Sequence, residues 1–287
     1  MKVVYLGTDA MFPCFFYLLS QHEVMAVYTC GNKEDYFRDV TITKMAKEAG
    51  IPVHRETIDE AAERDYISKG CEIFISADYG RRIPVISEKE GFYGINIHTS
   101  LLPIGRSYCP VECSLESRQE KMGVTIHKLV YEFDRGDILS QKEFPLWEGC
   151  DSIDLYLKCG YVAREMLQDI MKDCREAWQK AESQREKGSY WKLQKFTEAR
   201  LGHDMNLDEA FDIYRIYNRM TRVKLGEDVY FVLCLEKGYV PIDDDFIVLG
   251  KIVLYRLKDG HVRLILEKTE HPKEVWESKD YPFKFQH

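Results

Sequence analysis

The chain has 287 residues, 45% of them hydrophobic and 13% aromatic, with 40 Lys and Arg against 48 Asp and Glu for a formal net charge of −8. This is enough apolar sequence to bury a sizeable core in one large domain or two modest ones, and it excludes a disordered chain. The acidic balance counts against a general nucleic-acid binder, and nine irregularly spaced cysteines without a Cys-x-x-Cys pair point to reduced thiols in the cytoplasm, with neither disulfides nor a metal site.

The first half alternates strand and helix signals. Lys2 to Leu6 is a β-rich run ending at Gly7, and its character is that of a strand, not of a secretory leader. The apolar stretch Ala10 to Ser20 is too short for a bilayer and carries Pro13, which the first turn of a helix from about Met11 tolerates. No membrane association is expected. Val24 to Cys30 reads as a strand, Thr41 to Ala49 as a helix stopped by Gly50, and Ile51-Pro52-Val53 as the lead into a third strand. A charged helix over Asp59 to Lys69 then precedes buried strands at Glu72 to Ala77 and Gly94 to His98. Such alternation implies a Rossmann-like, mostly parallel sheet flanked by helices.

Gly123 to Leu129 and Asp137 to Leu146 are two further strand-like runs around the polar turn Asp134-Arg135-Gly136. Asp151 or Ser152 caps a long helix, whose apolar residues Leu155, Cys159, Val162, Met166, Ile170, Cys174 and Trp178 recur every three or four positions. The charged stretch Gln179 to Lys187 reads as a boundary between a unit over 1–187 and a smaller, β-rich C-terminal domain over 188–287, with Asp243-Asp244-Asp245 and Asp259-Gly260 as turns.

The residues that carry chemistry lie between Gly94 and Leu139. Asn96 and His98 are two apart on a strand, so their side chains share one face, at the C-terminal end where open α/β sheets hold ligands. A carboxylate at Asp134 would fold back on the His98 imidazole. Asn, His and Asp then supply an oxyanion donor, a general base and a group that orients the base. An isolated Asn-x-His is usually structural, and Asp134-x-Gly-Asp137 is an ordinary turn sequence. Their combination carries the weight. Gly7-Thr8-Asp9 lacks a Gly-x-Gly-x-x-Gly pattern, so no dinucleotide is expected. Cys109 and Cys113 read as small apolar fillers.

Four motifs in order, Asn96-Ile97-His98, Ser100-Leu101-Leu102-Pro103, Gly123-Val124-Thr125-Ile126 and Asp134-Arg135-Gly136-Asp137-Ile138, resemble the signature of the folate-dependent formyltransferases over roughly residues 1 to 190. The resemblance implies transfer of a formyl group from 10-formyltetrahydrofolate, a cosubstrate, to an amine, without metal or covalent enzyme intermediate. Asn96, His98 and Asp134 would be the catalytic trio. The folate would lie against Ser100, Leu101, Leu102 and Pro103, the segment Phe74 to Pro84 with Tyr79, Arg82 and Ile83, and Asp137. Arg81 and Arg82 depart from the common family pattern, and Arg82 is a candidate for the folate glutamate tail.

For the acceptor, the acidic charge, the Ile104-Gly105-Arg106-Ser107-Tyr108 loop and His127 after the Gly-Val-Thr-Ile run look more like the members that modify sugars than those that act on tRNA. The expected substrate is therefore the amine of a UDP- or dTDP-linked amino-dideoxy sugar for lipopolysaccharide or another surface glycan, met by Arg219, Arg222 and Arg106, the last of which either faces substrate phosphate or holds its loop. Methionyl-tRNA formyltransferase is the alternative reading. A non-catalytic folate- or nucleotide-binding relative is an alternative of another class, and a formyl-folate hydrolase a third. Family likeness also implies a homodimer.

Overall fold

The runs of apolar residues become the interior strands of a seven-stranded sheet in a computed structural model that describes residues 1–30, 40–84, 91–185, 187–192 and 199–277. The strands are β1 (Lys2–Gly7), β2 (Glu23–Tyr28), β3 (Val53–His54), β4 (Ile73–Ala77), β5 (Tyr93–His98), β6 (Lys121–Lys128) and β7 (Ile138–Pro145). Their order is β3-β2-β1-β4-β5-β6-β7, parallel from β3 to β5 and antiparallel across β5–β6 and β6–β7. The architecture is the Rossmann-like, mostly parallel arrangement expected. Val3, Val4, Tyr5 and Leu6 of β1 are all 0% exposed, because helices cover both faces.

Successive β1 side chains divide between two cores. Val3 and Tyr5 pack with Phe15 and Leu18 of α1 (Phe12–Gln21), Ile42 and Ala46 of α2 (Val40–Glu48), and Leu155 and Val162 of α5 (Ser152–Lys172). Val4 and Leu6 face Ala62 and Tyr66 of α3 (Glu60–Ser68) on the opposite side. At the α1–α5 contact a Cβ on Gly160 would stand 3.0 Å from Pro13 Cδ, so glycine lets the helices approach closely.

One local reading is corrected and two elements gain their bounds. The third strand is only Val53–His54. The long helix ends at Lys172, because the Asp173 carboxylate accepts from Glu176 N at 2.9 Å and starts a separate α6 (Cys174–Gln179). After Tyr108 comes α4 (Pro110–Glu116), opened by Pro110 in its first turn. Asp151 caps α5 as expected, in a capping box with Asp154.

A second, six-stranded sheet follows: β8 (Arg200–Leu201), β9 (Arg222–Leu225), β10 (Asp228–Lys237), β11 (Phe246–Leu249), β12 (Ile252–Arg256) and β13 (His261–Lys268), in the order β11-β12-β13-β10-β9-β8. It has its own core of Leu201, Val223, Val232, Tyr255 and Leu264. Helix α7 (Leu207–Tyr217) spans both bodies: Ala210 is buried in the second core, whereas Ile216 and Tyr217 enter the first. Arg215 Nη1 donates to Cys150 O at 3.1 Å, Asn218 Nδ2 donates to Asp151 Oδ2 at 3.2 Å, and the Tyr217 hydroxyl donates to Glu116. A short α8 (Pro272–Glu277) closes the described chain; of the expected domain 188–287, residues 193–198 and 278–287 lie outside the described residues. Among the described residues no helix is long and apolar enough to cross a membrane, and no cluster of three or more His, Cys, Asp or Glu could hold a metal ion.

Candidate active site

The C-terminal end of β5 carries Asn96 and His98, and the antiparallel register sets Asn96 opposite His127 and His98 opposite Thr125 of β6. All four therefore share one face of the sheet. His98 is 7% exposed. Its Nδ1 stands 3.4 Å from Asp134 Oδ1, and its Nε2 stands 3.2 Å from Gly105 O. When the ring holds two protons, both N–H groups face acceptors. Asn96 Nδ2 lies 3.0 Å from His127 Nε2, which is itself 3.8 Å from Asp134 Oδ1. The three expected residues and His127 thus form one constellation.

Asp134 reaches it from a tight loop. Its backbone is in the left-handed region, φ 57°, unusual for a residue with a Cβ. Gly136 lets the loop close: a Cβ there would fall 1.8 Å from Lys128 O. Lys128 N donates to Asp137 O at 2.9 Å, and Lys128 Nζ to Asp137 Oδ2 at 3.2 Å, so Asp137 ties down the base of this loop.

The Ser100–Pro103 loop is held by a row of cross-strand polar contacts. Thr125 Oγ1 donates to Ser100 O at 2.6 Å and accepts from Leu102 N at 3.1 Å. Gln141 of β7, paired with Thr125, donates to that same hydroxyl and to Leu102 O, each at 2.8 Å. Ser100 Oγ donates to Ile104 O at 2.8 Å, Leu101 lies over Gly123, and Leu102 is 2% exposed. The Leu102–Pro103 peptide bond is cis.

Residues 182–185 and 187–191 fasten both loops. Arg106 is 4% exposed and donates from Nε to Asp134 O (3.1 Å), from Nη1 to Lys187 O (2.9 Å) and from Nη2 to Gln184 Oε1 (2.6 Å). Gln184 Nε2 in turn donates to Asp134 O at 3.0 Å and to Gly136 O at 2.8 Å. Ser189 accepts from Gly105 N on its hydroxyl and donates its own N–H to Pro103 O. Burial holds the Arg106 guanidinium below its usual range, consistent with a cation whose partners are protein carbonyls. Of the two roles open to Arg106, these three bonds are those of a residue that holds its loop.

The expectation that Arg222 meets substrate does not fit its burial. It is 0% exposed on β9, donating to Ala199 O at 3.3 Å and Val275 O at 2.7 Å, and burial lowers it to about 10. Arg219 is exposed, on the short turn after α7, where its charge acts on Tyr214; no described contact brings it to the constellation. Tyr79 and Ile83, 7% and 8% exposed, pack into the core with Phe74. Arg82 is exposed, with Cζ 4.7 Å from the Tyr131 ring centroid and 5.4 Å from that of Phe133. Those rings are themselves 68% and 55% exposed, beside the Asp134 loop. Sequence reasoning missed Gln184, Gln141 and Ser189, which carry no local signal. Tyr190 follows Ser189. That ring is 57% exposed, and after burial the nearby Cys109 and Asp134 push its phenol up.

A family model described as formyl transferase matches residues 19–170. The chain is 32% identical over 181 residues to the methionyl-tRNA formyltransferase of Listeria innocua, a match covering 60% of this chain and 58% of that protein's length. Among solved structures, Aquifex aeolicus HypX in complex with tetrahydrofolic acid aligns with a TM-score of 0.67 at 14% identity, over 97% of this chain and 48% of HypX. A sugar N-formyltransferase from a Shewanella species aligns with a TM-score of 0.53 at 23% identity, over 75% of this chain and 87% of that one. These two structural likenesses concern the fold.

Proposed function

Because the chain belongs to the formyl transferase family, we propose that it moves the formyl group of 10-formyltetrahydrofolate onto an amine, that of a UDP- or dTDP-linked amino-dideoxy sugar used for a cell-surface glycan. The observation that carries the reading is the His98 imidazole, with Asp134 at 3.4 Å on one nitrogen, the Gly105 carbonyl at 3.2 Å on the other, and Asn96 on the same strand face. In this reading the acceptor amine attacks the formyl carbon and His98 Nε2, its contact with Gly105 O given up to the substrate, takes the amine proton while Nδ1–H faces Asp134. Asn96 donates to the oxyanion, Asp134 holds His98, and as the formyl C–N10 bond breaks the imidazolium returns that proton to N10 of tetrahydrofolate. The neighbouring Cys109 thiol is pushed up by burial and contacts Ser107 and Cys113 instead of an imidazole, which supports direct attack without a covalent enzyme intermediate.

The folate fits the residues present. Exposed Tyr131 and Phe133 offer flat surface beside Asp134, and Arg82 between them offers a cation for glutamate carboxylates. The Ser100–Pro103 loop, with Asp137 at the base of the facing loop, forms the rest of this proposed subsite. The structurally similar HypX binds tetrahydrofolic acid. For the acceptor, Ile104, Tyr108 and Tyr190 are exposed around the same loop, and an exposed ring is what a nucleotide base stacks on. We assign Arg219 no contact and leave the nucleotide phosphates to be met by backbone donors or by Arg135, an exposed neighbour of Asp134. Residues 188–287 would complete the acceptor site or the contacts of a homodimer, in the cytoplasm where nucleotide sugars are made.

A second reading, methionyl-tRNA as acceptor, is favoured by the likeness to the Listeria protein. The deciding assay measures formyl transfer from 10-formyltetrahydrofolate to a panel of UDP- and dTDP-amino sugars and, in parallel, to charged initiator tRNA. Turnover on a sugar alone upholds the proposal. Turnover on tRNA alone replaces the acceptor and keeps the chemistry.

A further inference from the structure

We propose that His127 is a positioning residue: its Nε2 accepts a hydrogen bond from Asn96 Nδ2 and thereby fixes which end of the Asn96 carboxamide faces the reacting atoms. The inference rests on the functional reading of Asn96 given above and adds to it a residue and a tautomer.

The argument is one of donors and acceptors. His127 is 2% exposed on β6, directly across from Asn96 on β5. Its Nδ1 lies 2.8 Å from Lys128 O, and a carbonyl oxygen can only accept, so Nδ1 carries the proton. A neutral imidazole then has a bare lone pair on Nε2. The partner of that lone pair, 3.0 Å away, must be a donor, and of the two ends of a carboxamide only the NH2 qualifies. The chain Lys128 O, His127, Asn96 therefore selects one of two otherwise equivalent flips. It leaves the second Nδ2 hydrogen available to an oxyanion and turns the Asn96 carbonyl away from it. Gly136 packs against the other edge of the ring, where a Cβ would stand 3.2 Å from Nδ1, so the imidazole has little room to rotate.

The charge state supports the same assignment. Burial pushes the ring down to about 4, against an opposing pull from Asp134; His98 and Arg106, the other charged or titratable groups facing it, disfavour its protonation. A proton on Nε2 would set donor against donor at Asn96 and turn the bond toward Asp134 Oδ1, 3.8 Å away. The neutral ring keeps Asp134 for His98.

Two measurements on the full-length protein test this. Nitrogen-15 NMR of imidazole-labelled protein reads the tautomer directly. The expected result is a His127 ring that stays neutral, protonated on Nδ1, between pH 5.5 and 8, with an Nε2 resonance that moves toward that of an unbonded lone pair in Asn96→Ala. A ring protonated on Nε2 at pH 7, or an Nε2 resonance indifferent to Asn96→Ala, overturns the proposal whatever reaction is catalysed. The second measurement is steady-state kinetics of His127→Leu and His127→Gln. Loss of the acceptor in the leucine variant lowers kcat about 10- to 100-fold with folate and acceptor KM changed less than about threefold, because a misaligned oxyanion donor acts on the transition state alone. Glutamine, whose side-chain oxygen reaches the Nε2 position, restores most of it. Equal kcat in leucine variant and wild type overturns the proposal, as does a leucine defect that glutamine leaves unrescued. Absence of formyl transfer by the wild type to every acceptor refutes the functional reading, and the tautomer result then decides the Asn96–His127 bond by itself.

Discussion

Replacing Arg106 by lysine separates a clamp from a substrate contact. Arginine makes three side-chain hydrogen bonds, to Asp134 O, Lys187 O and Gln184 Oε1, from a position 4% exposed. Lysine keeps the charge but concentrates its donors on one atom, which cannot reach three acceptors spread around a planar fork. Loss of about two charge-assisted bonds at roughly 1.5–3 kcal/mol each, less what relaxation and water recover, gives an expected destabilisation of about 2–4 kcal/mol. For a chain of this size that lowers the melting temperature by very roughly 4–12 °C. Because Asp134 O loses one of its two side-chain donors, kcat falls as well, while KM for the acceptor stays within about threefold. Calorimetry and steady-state kinetics on Arg106→Lys read both effects. An unchanged melting temperature with a tenfold rise in acceptor KM would mean that the guanidinium contacts substrate, and the clamp would be wrong.

Other substitutions test neighbouring parts of the account. Gly136→Ala puts a Cβ 1.8 Å from Lys128 O, so the Asp134 loop must open; kcat falls by at least about 100-fold, and wild-type turnover would contradict the close approach. Glu112 is buried on α4, accepting from the Tyr156 hydroxyl at 3.0 and 3.1 Å, and burial raises its carboxyl from 4.5 to about 7. The folded state then holds a proton that the unfolded chain releases above 4.5, so stability declines as pH rises from about 4.5 to 7 and the penalty is complete above that. Glu112→Gln removes this dependence: its unfolding free energy, read by urea titration, matches wild type near pH 4.5 and exceeds it above pH 7, by at most roughly 3 kcal/mol. His127, lowered to about 4, acts with the opposite sign below pH 6.5 but is common to both proteins. Parallel pH curves for the two would refute the assignment. Asn206 caps α7 by accepting from Glu209 N at 2.8 Å, and Asn206→Ala costs about 1 kcal/mol by urea unfolding.

The strands were legible because a central parallel strand, buried on both faces, leaves an unbroken apolar run such as Val3 to Leu6. The shared face of Asn96 and His98 follows from a spacing of two, and Asp134 from its motif. What stayed hidden was set at long range. The partners of Arg106 lie between 28 and 81 residues away, so its sequence neighbourhood reads the same whether it binds substrate or clamps loops. Arg222 looked like a surface cation because nothing local announces that Ala199 and Val275 will enclose it. His127 was noticed for its position after Gly-Val-Thr-Ile, yet its bond to Asn96 depends on the β5–β6 register. Helix α4 was missed because seven residues are too few to display a period.

The central claim is direct formyl transfer by Asn96, His98 and Asp134, and the most direct test is single-turnover transfer from 10-formyltetrahydrofolate to the acceptor found by the substrate panel, comparing wild type with His98→Ala, Asn96→Ala and Asp134→Asn. The account predicts a wild-type fold by circular dichroism for all three, with each rate constant reduced by two or more orders of magnitude. A His98→Ala protein that transfers formyl at near wild-type rate would contradict it.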